Sequence, residues 1–213
     1  MLTSVLATKH SNMPNVRFIV VGDIYSEASY INMADMIEQV RNETPGRCLF
    51  LLSGDVLGGS AMCEATKGAH IVEILNAMRA DCASIGNHEF DFTESNLTTR
   101  VAESQFVWLS ANTRVNGAPL ANVRDSMTFT VDGLKVGVFG VITGDTPHVS
   151  DGDGLRRAQS FVCSRTRRAL TPTRCRRSCR SRAKRSCLAI VWRRRKKLHA
   201  IFARHSNVTL WSR

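Results

Sequence analysis

Residues 82–92 read Cys82-Ala83-Ser84-Ile85-Gly86-Asn87-His88-Glu89-Phe90-Asp91-Phe92, a short apolar run that ends on glycine and then presents an amide, an imidazole and two acids. Two earlier apolar runs end in a related way, Val21-Gly22-Asp23 and Ser53-Gly54-Asp55. Glycine ahead of each polar residue lets the backbone turn sharply without a Cβ clash. In an open parallel sheet ligands bind beyond the carboxyl ends of the strands, so polar residues leaving three neighbouring strands converge on one crevice. The convergence carries the information, since Gly-Asp alone is also a common turn.

Around these points the pattern is that of an α/β domain. Short apolar runs at 18–21, 48–52, 82–85 and 107–109 predict buried strands. Between them, 27–41 places Met33, Ile37 and Val40 on one helical face, and Asn42-Glu43-Thr44-Pro45-Gly46 stops that helix. Segment 61–79 carries Ile71, Ile74, Leu75 and Met78 at helical spacing, and 92–106 carries Leu97, Val101 and Phe106. Further on, 127–131 and 134–142 flank Asp132-Gly133, a pair that favours the positive φ angles of a type I′ hairpin turn. Asn116-Gly117 is a further turn signal. No internal repeat is found.

Two carboxylates and an amide carbonyl are hard oxygen donors, suited to Mn²⁺ or Mg²⁺ and, with histidines added, to Zn²⁺ or Fe. Two such ions roughly 3.5–4 Å apart share a bridging carboxylate, activate a water and clamp the oxygens of a phosphoryl group. His88, next to Asn87, is placed to protonate a leaving alkoxide or to stabilise charge on the phosphoryl oxygens. Asp91 and Glu89 read as structural acids that steady the turn presenting Asn87 and His88.

Over residues 17 to about 150 the chain resembles the 5′-nucleotidase branch of the calcineurin-like metallophosphoesterases, whose blocks run D-x-H, G-D and G-N-H-[DE] before two later histidine blocks. The extended form from Gly86 to Phe92 is characteristic of nucleotidases. Lys67-Gly68, Ile74-Leu75-Asn76, Gly140-Val141-Ile142-Thr143 and Thr146-Pro147 also fall where that branch has similar segments. The resemblance implies two divalent metal ions (Mn, Mg, Zn or Fe). It makes Asp23, Asp55 and Asn87 metal ligands, Asp55 the bridge, and His88 catalytic. It further implies a four-layer α/β/β/α sandwich and a small phosphomonoester substrate such as a nucleotide.

Two departures bear on these expectations. Tyr25 stands where most members have a histidine ligand, which implies altered or weaker binding at the first metal, with Glu27 as a candidate compensating ligand. The threonine-histidine and glycine-histidine-aspartate-histidine segments have no counterpart after Ile142, and His148, His199 and His205 lie in no matching context. The chain is thus expected to supply about half of a two-metal site on an incomplete α/β/β/α sandwich, with apolar strand surface exposed and inactivity as one outcome.

Charge divides the chain as sharply. Residues 1–154 hold 18 acidic and 10 basic residues, a net −8, whereas 155–213 hold 19 Lys and Arg and no acid, giving +11 overall. Three domains of composition follow: an N-terminal extension at 1–16, the partial phosphoesterase domain at 17–154, and an Arg-rich tail at 155–213 expected to be disordered or locally helical. Three readings of the tail remain open. It is out-of-frame sequence, a basic arm that binds nucleic acid or other polyanions on a non-catalytic phosphoesterase fragment, or a zinc site from Cys175, Cys179, His199 and His205. Seven cysteines at irregular spacings do not argue for a disulfide framework, and no stretch nears the roughly 18 apolar residues of a membrane span. A soluble cytoplasmic protein is the resulting expectation.

Overall fold

Side chains alternate in and out along each early strand, and the two faces they create are buried by different partners. The computed structural model describes residues 16–114, 118–120 and 123–142, together with the backbone of 187–194, 197–204 and 207–211, where the side chain of Ile190 is also described. Strands β1 (Arg17–Val21), β2 (Cys48–Leu52), β3 (Cys82–Ser84) and β4 (Val107–Leu109) form a parallel sheet in that order. The connections are helices, as parallel neighbours require: α1 (Glu27–Glu43), then α2 (Ala61–Thr66) with α3 (Ala69–Ala77), then α4 (Glu94–Glu103).

Ile19, Phe50, Leu52, Ala83 and Trp108 point to the helix side, where they meet Ile37 of α1, Leu75 of α3 and Leu97 of α4 in one buried cluster. Leu49, Leu51, Cys82 and Leu109, one residue out of step, point to the opposite face. Each such large apolar side chain taken out of water contributes about 1.5–3 kcal/mol.

That opposite face is covered. Strands β5 (Ser126–Val131), β6 (Leu134–Val141), β7 (Cys187–Arg194), β8 (Lys197–Arg204) and β9 (Asn207–Trp211) form an antiparallel sheet in chain order. Val131, Val136, Val138 and Ile190 from it share a core with Leu49, Leu51, Cys82 and Leu109. The described residues therefore build three successive layers, helix, parallel sheet and antiparallel sheet, of the expected α/β/β/α order. For the described parallel sheet the expected exposure of apolar strand surface does not hold, because the second sheet supplies the cover. Nor does disorder or local helix hold over 187–194, 197–204 and 207–211, which are strands. The run Cys187-Leu188-Ala189-Ile190-Val191-Trp192 is rich in β-formers and pairs antiparallel with β6, from Cys187 opposite Val141 to Trp192 opposite Val136. The rest of 155–213, and with it Cys175, Cys179 and His205, lies outside the described residues, as do residues 1–15, Asn116-Gly117, His148 and the boundary at 154.

Among the element boundaries that differ from expectation, those of 61–79 and 27–41 do so for local reasons. Segment 61–79 is two helices, because Lys67 (φ 52°) and Gly68 (φ 77°) both take left-handed backbone and break the ladder. α1 runs on to Glu43, where Thr44 caps it with its own hydroxyl on the Val40 carbonyl at 2.7 Å. The Asp132-Gly133 hairpin has positive φ at both residues, 50° and 72°, as expected. No described helix is long and apolar enough to cross a membrane.

Candidate metal centre

Asp23, Asp55 and the Asn87-His88 pair all lie just past the carboxyl ends of β1, β2 and β3. Pairing of the parallel strands continues into the loops: Asp23 N–H donates to the Gly54 carbonyl and Ile24 N–H to the Asp55 carbonyl, both at 3.3 Å. This fixes the first two aspartates side by side. Both hold positive φ, 56° in each case, a conformation that costs a non-glycine residue energy and concentrates at functional sites. The third loop is joined by His88 N–H, which donates to Asp55 Oδ1 at 2.9 Å. Gly86 is required for that approach, because a Cβ there would collide with Asp55 Oδ1 and its backbone nitrogen.

Glu89 holds the assembly from beneath. It is 1% exposed, and its carboxylate accepts from Asp55 N–H (2.9 Å), Val56 N–H (2.7 Å), Leu57 N–H (3.2 Å) and Gly86 N–H (2.5 Å). Burial and the nearby Asp55 charge push its pKa up, against the pull of those backbone donors. Its role is structural, as expected, but it acts across two loops and not only on its own turn.

Asp91 has a role the sequence reading missed. His88–Phe90 is a single 3-10 turn, in which residues three apart eclipse, so Asp91 Oδ2 meets His88 Nδ1 at 2.6 Å. That hydrogen bond is the main reason the His88 pKa is raised to about 9, with burial opposing and the charges of Asp91, Asp55 and Glu89 adding. The signal was present as His-x-x-Asp spacing, but only a 3-10 turn gives that spacing its meaning.

Tyr25 occupies the position expected of a histidine, and its hydroxyl donates to Asp23 Oδ1 at 2.7 Å. Burial first, then the Asp23 hydrogen bond and the Asp55, Asp23 and Glu89 charges, drive its pKa above the usual tyrosine value. The phenol is thus a proton donor to Asp23 here, and its ring meets His88 edge-on at 5.4 Å. Glu27, the candidate compensating ligand, has its carboxylate engaged by Ser60 and His70.

Residues 16–164 match the family model of the calcineurin-like phosphoesterases. The chain belongs to that family. Among relatives of this phosphoesterase, Protein 5NUC of Lutzomyia longipalpis is 35% identical over 126 residues, 57% of this chain and 22% of that protein. The 5′-nucleotidase of Homo sapiens is 32% identical over 121 residues, 54% of this chain and 21% of that protein. The phosphoesterase therefore spans about a fifth of the length of the curated relatives it matches. Its fold is shared with a 5′-nucleotidase precursor from Thermus thermophilus, with TM-score 0.56 and 21% identity over 64% of this chain and 30% of that one. The NAD nucleotidase of Haemophilus influenzae shares it too, with TM-score 0.52 and 22% identity over 70% and 26% of the two chains.

The donors of this phosphoesterase suit the divalent metals its family implies. Asp55 is 1% exposed and Asn87 8% exposed, and Asp23, Asp55 and Glu89 bring three carboxylates close enough to act together on Tyr25. Buried charge of one sign is costly unless paired or bound to a cation. The oxygen donors fit a hard divalent ion.

Proposed function

We propose that Asp23, Asp55 and Asn87 hold divalent metal in this cleft and that His88 is the proton donor in hydrolysis of a phosphomonoester, with a nucleoside 5′-monophosphate as substrate. The observation that carries the reading is the His88 contact pair: its backbone on the Asp55 carboxylate and its ring on Asp91. A bound metal would polarise the phosphoryl oxygens and lower the pKa of an attacking water. Asp55, held by Glu89 through its own N–H, keeps its carboxylate at the junction of the three loops. The Asn87 amide oxygen adds a neutral donor from the third loop. Asp91 fixes the Nδ1–H tautomer of His88, which leaves Nε2 to carry the mobile proton to the leaving alkoxide. The nucleotide is supported by the name of the Homo sapiens relative, a 5′-nucleotidase.

The test is release of inorganic phosphate from a nucleoside 5′-monophosphate by the full chain with Mn²⁺, Mg²⁺ or Zn²⁺. His88→Ala is expected to lower kcat by about 10²–10⁴-fold. No release above blank with any of the three ions contradicts turnover by this chain.

A second reading rests on the tail: 19 Lys and Arg without an acid in 155–213, and no later histidine block in matching context. In it the chain is a non-catalytic phosphoesterase that binds polyanions such as nucleic acid by neutralising phosphates. Binding of single-stranded DNA should then weaken steeply with salt and be lost when Arg193, Arg194, Arg195, Lys196 and Lys197 are changed to Gln. Binding unchanged by those substitutions removes the reading.

A further inference from the structure

Away from the cleft, the first three helices bring a carboxylate, a thiol and an imidazole to one point. Glu27 opens α1, Cys63 lies within α2 and His70 stands in the first turn of α3, and one ligand atom from each falls within 4.8 Å of the others. Cys63 is 1% exposed, while the His70 and Glu27 side chains are 14% and 37% exposed. The cluster is therefore walled by the core on the sulfur side and reachable from solvent on the other.

Its hydrogen bonds leave a mismatch. The Thr66 hydroxyl donates its single proton to the Met62 carbonyl at 2.8 Å. At the 2.6 Å contact with His70, Thr66 Oγ1 must then accept, so Nδ1 carries the ring proton. Nε2 is left facing Glu27 Oε1 at 3.4 Å. That oxygen already accepts the Ser60 hydroxyl at 2.5 Å, and this bond is the first cause holding the Glu27 carboxyl below its usual range. In the neutral histidine a lone pair therefore meets an ionised carboxylate, with the Cys63 sulfur beside both. Tyr30, one turn along α1, is 2% exposed, and its hydroxyl has no hydrogen-bond partner among the described residues. Cys63 and Glu27 are among the groups whose charges bear on it. A proton or a metal cation between Nε2 and Oε1 resolves the mismatch, and the sulfur beside them favours the metal.

We propose that Glu27, Cys63 and His70 form a zinc site distinct from the oxygen-donor cleft. Thiolate, imidazole and carboxylate together favour a borderline-soft ion with tetrahedral geometry, in contrast to Asp23, Asp55 and Asn87. Zn–ligand bonds of about 2.0–2.3 Å set ligand atoms roughly 3.3–3.8 Å apart. The Glu27–His70 pair is already at that separation, and the sulfur needs to close by roughly 1 Å, a rotamer-scale movement. Binding releases the Cys63 proton, and Thr66 holds the His70 ring by its far nitrogen, the usual support for a metal-bound histidine. With three protein ligands the fourth position is left to solvent. Such an ion ties the first turn of α1 to the two short helices that break at Lys67-Gly68. It thereby steadies Tyr25, which lies two residues before Glu27 with its ring against Gly59.

Cobalt(II) added to the full chain tests this, because only a thiolate ligand gives the intense sulfur-to-cobalt charge-transfer band in the near ultraviolet. The expected result is a band that saturates, is displaced by Zn²⁺, and persists both in Asp55→Asn and in a Cys175→Ser, Cys179→Ser double variant. In Cys63→Ser, and separately in His70→Asn, cobalt affinity at this site should fall by about 100-fold or more, with the far-ultraviolet circular dichroism unchanged. Absence of the band in the unmodified chain overturns the proposal. So does a band that survives Cys63→Ser or disappears with the tail cysteines.

Discussion

The Glu89 carboxylate accepts the backbone N–H of Asp55 at 2.9 Å and, with the same two oxygens, those of Val56, Leu57 and Gly86. One buried acid thus satisfies donors from both the loop after β2 and the loop after β3. Glu89→Ala should destabilise the fold by about 2–4 kcal/mol, since it leaves several buried N–H groups without acceptors. Urea unfolding of the metal-free chain reads this directly. A midpoint unchanged by the substitution removes Glu89 from its supporting role.

His88 and Asp91 make the next prediction one of pH. The His88 pKa is raised to about 9, chiefly by the Asp91 hydrogen bond. A group whose pKa is raised on folding contributes stability that is full below its unfolded value, about 6.5, and lost as pH climbs through 9. With chelator present, the urea midpoint should therefore fall between pH 6.5 and 9.5, and Asp91→Asn should flatten that part of the profile. Proton NMR of the His88 ring should show its midpoint drop toward the ordinary histidine value in the same variant.

Tyr25 supplies a third. Its hydroxyl donates to Asp23 Oδ1, where the family pattern has a histidine ligand. Tyr25→His replaces a competing donor by an imidazole nitrogen and should tighten Mn²⁺ binding by on the order of 10-fold, ~1.4 kcal/mol. Calorimetric titration checks it. Weaker binding in the variant means the ring cannot reach the metal from this loop.

Much of this was legible in the sequence because it depends on patterns within a few residues. The one-residue offset between Leu49/Leu51 and Phe50/Leu52 marks a strand buried on both faces, and three glycine-preceded polar residues mark the strand ends. The break of α2 from α3 was not legible, since Lys67-Gly68 in left-handed backbone depends on what the chain meets next. The Asp91 contact needed the 3-10 turn, and Glu89 needed the third dimension, bridging residues 32 to 34 apart. The strand character of 187–194 was hidden for a different reason. Its flanking arginines dominate the composition, whereas Ile190 is fully buried against Leu49, Leu51, Cys82 and Leu109 of the parallel sheet, far earlier in the chain.

Ile190 therefore makes a further test. Ile190→Ala should cost about 2–5 kcal/mol, as for other fully buried aliphatic side chains, and lower the thermal midpoint accordingly. Stability unaffected by the substitution would show that β7 does not close the inter-sheet core.

The central claim is that the loops after β1, β2 and β3 converge to bind divalent metal, and Mn²⁺ measured by electron paramagnetic resonance addresses it most directly. Titrated into the full chain, Mn²⁺ should lose its free six-line signal as it binds. Asp55→Asn should restore the free signal at the same concentrations, while Cys63→Ser leaves binding intact. Equal Mn²⁺ binding by the Asp55→Asn variant and the unmodified chain would contradict the account.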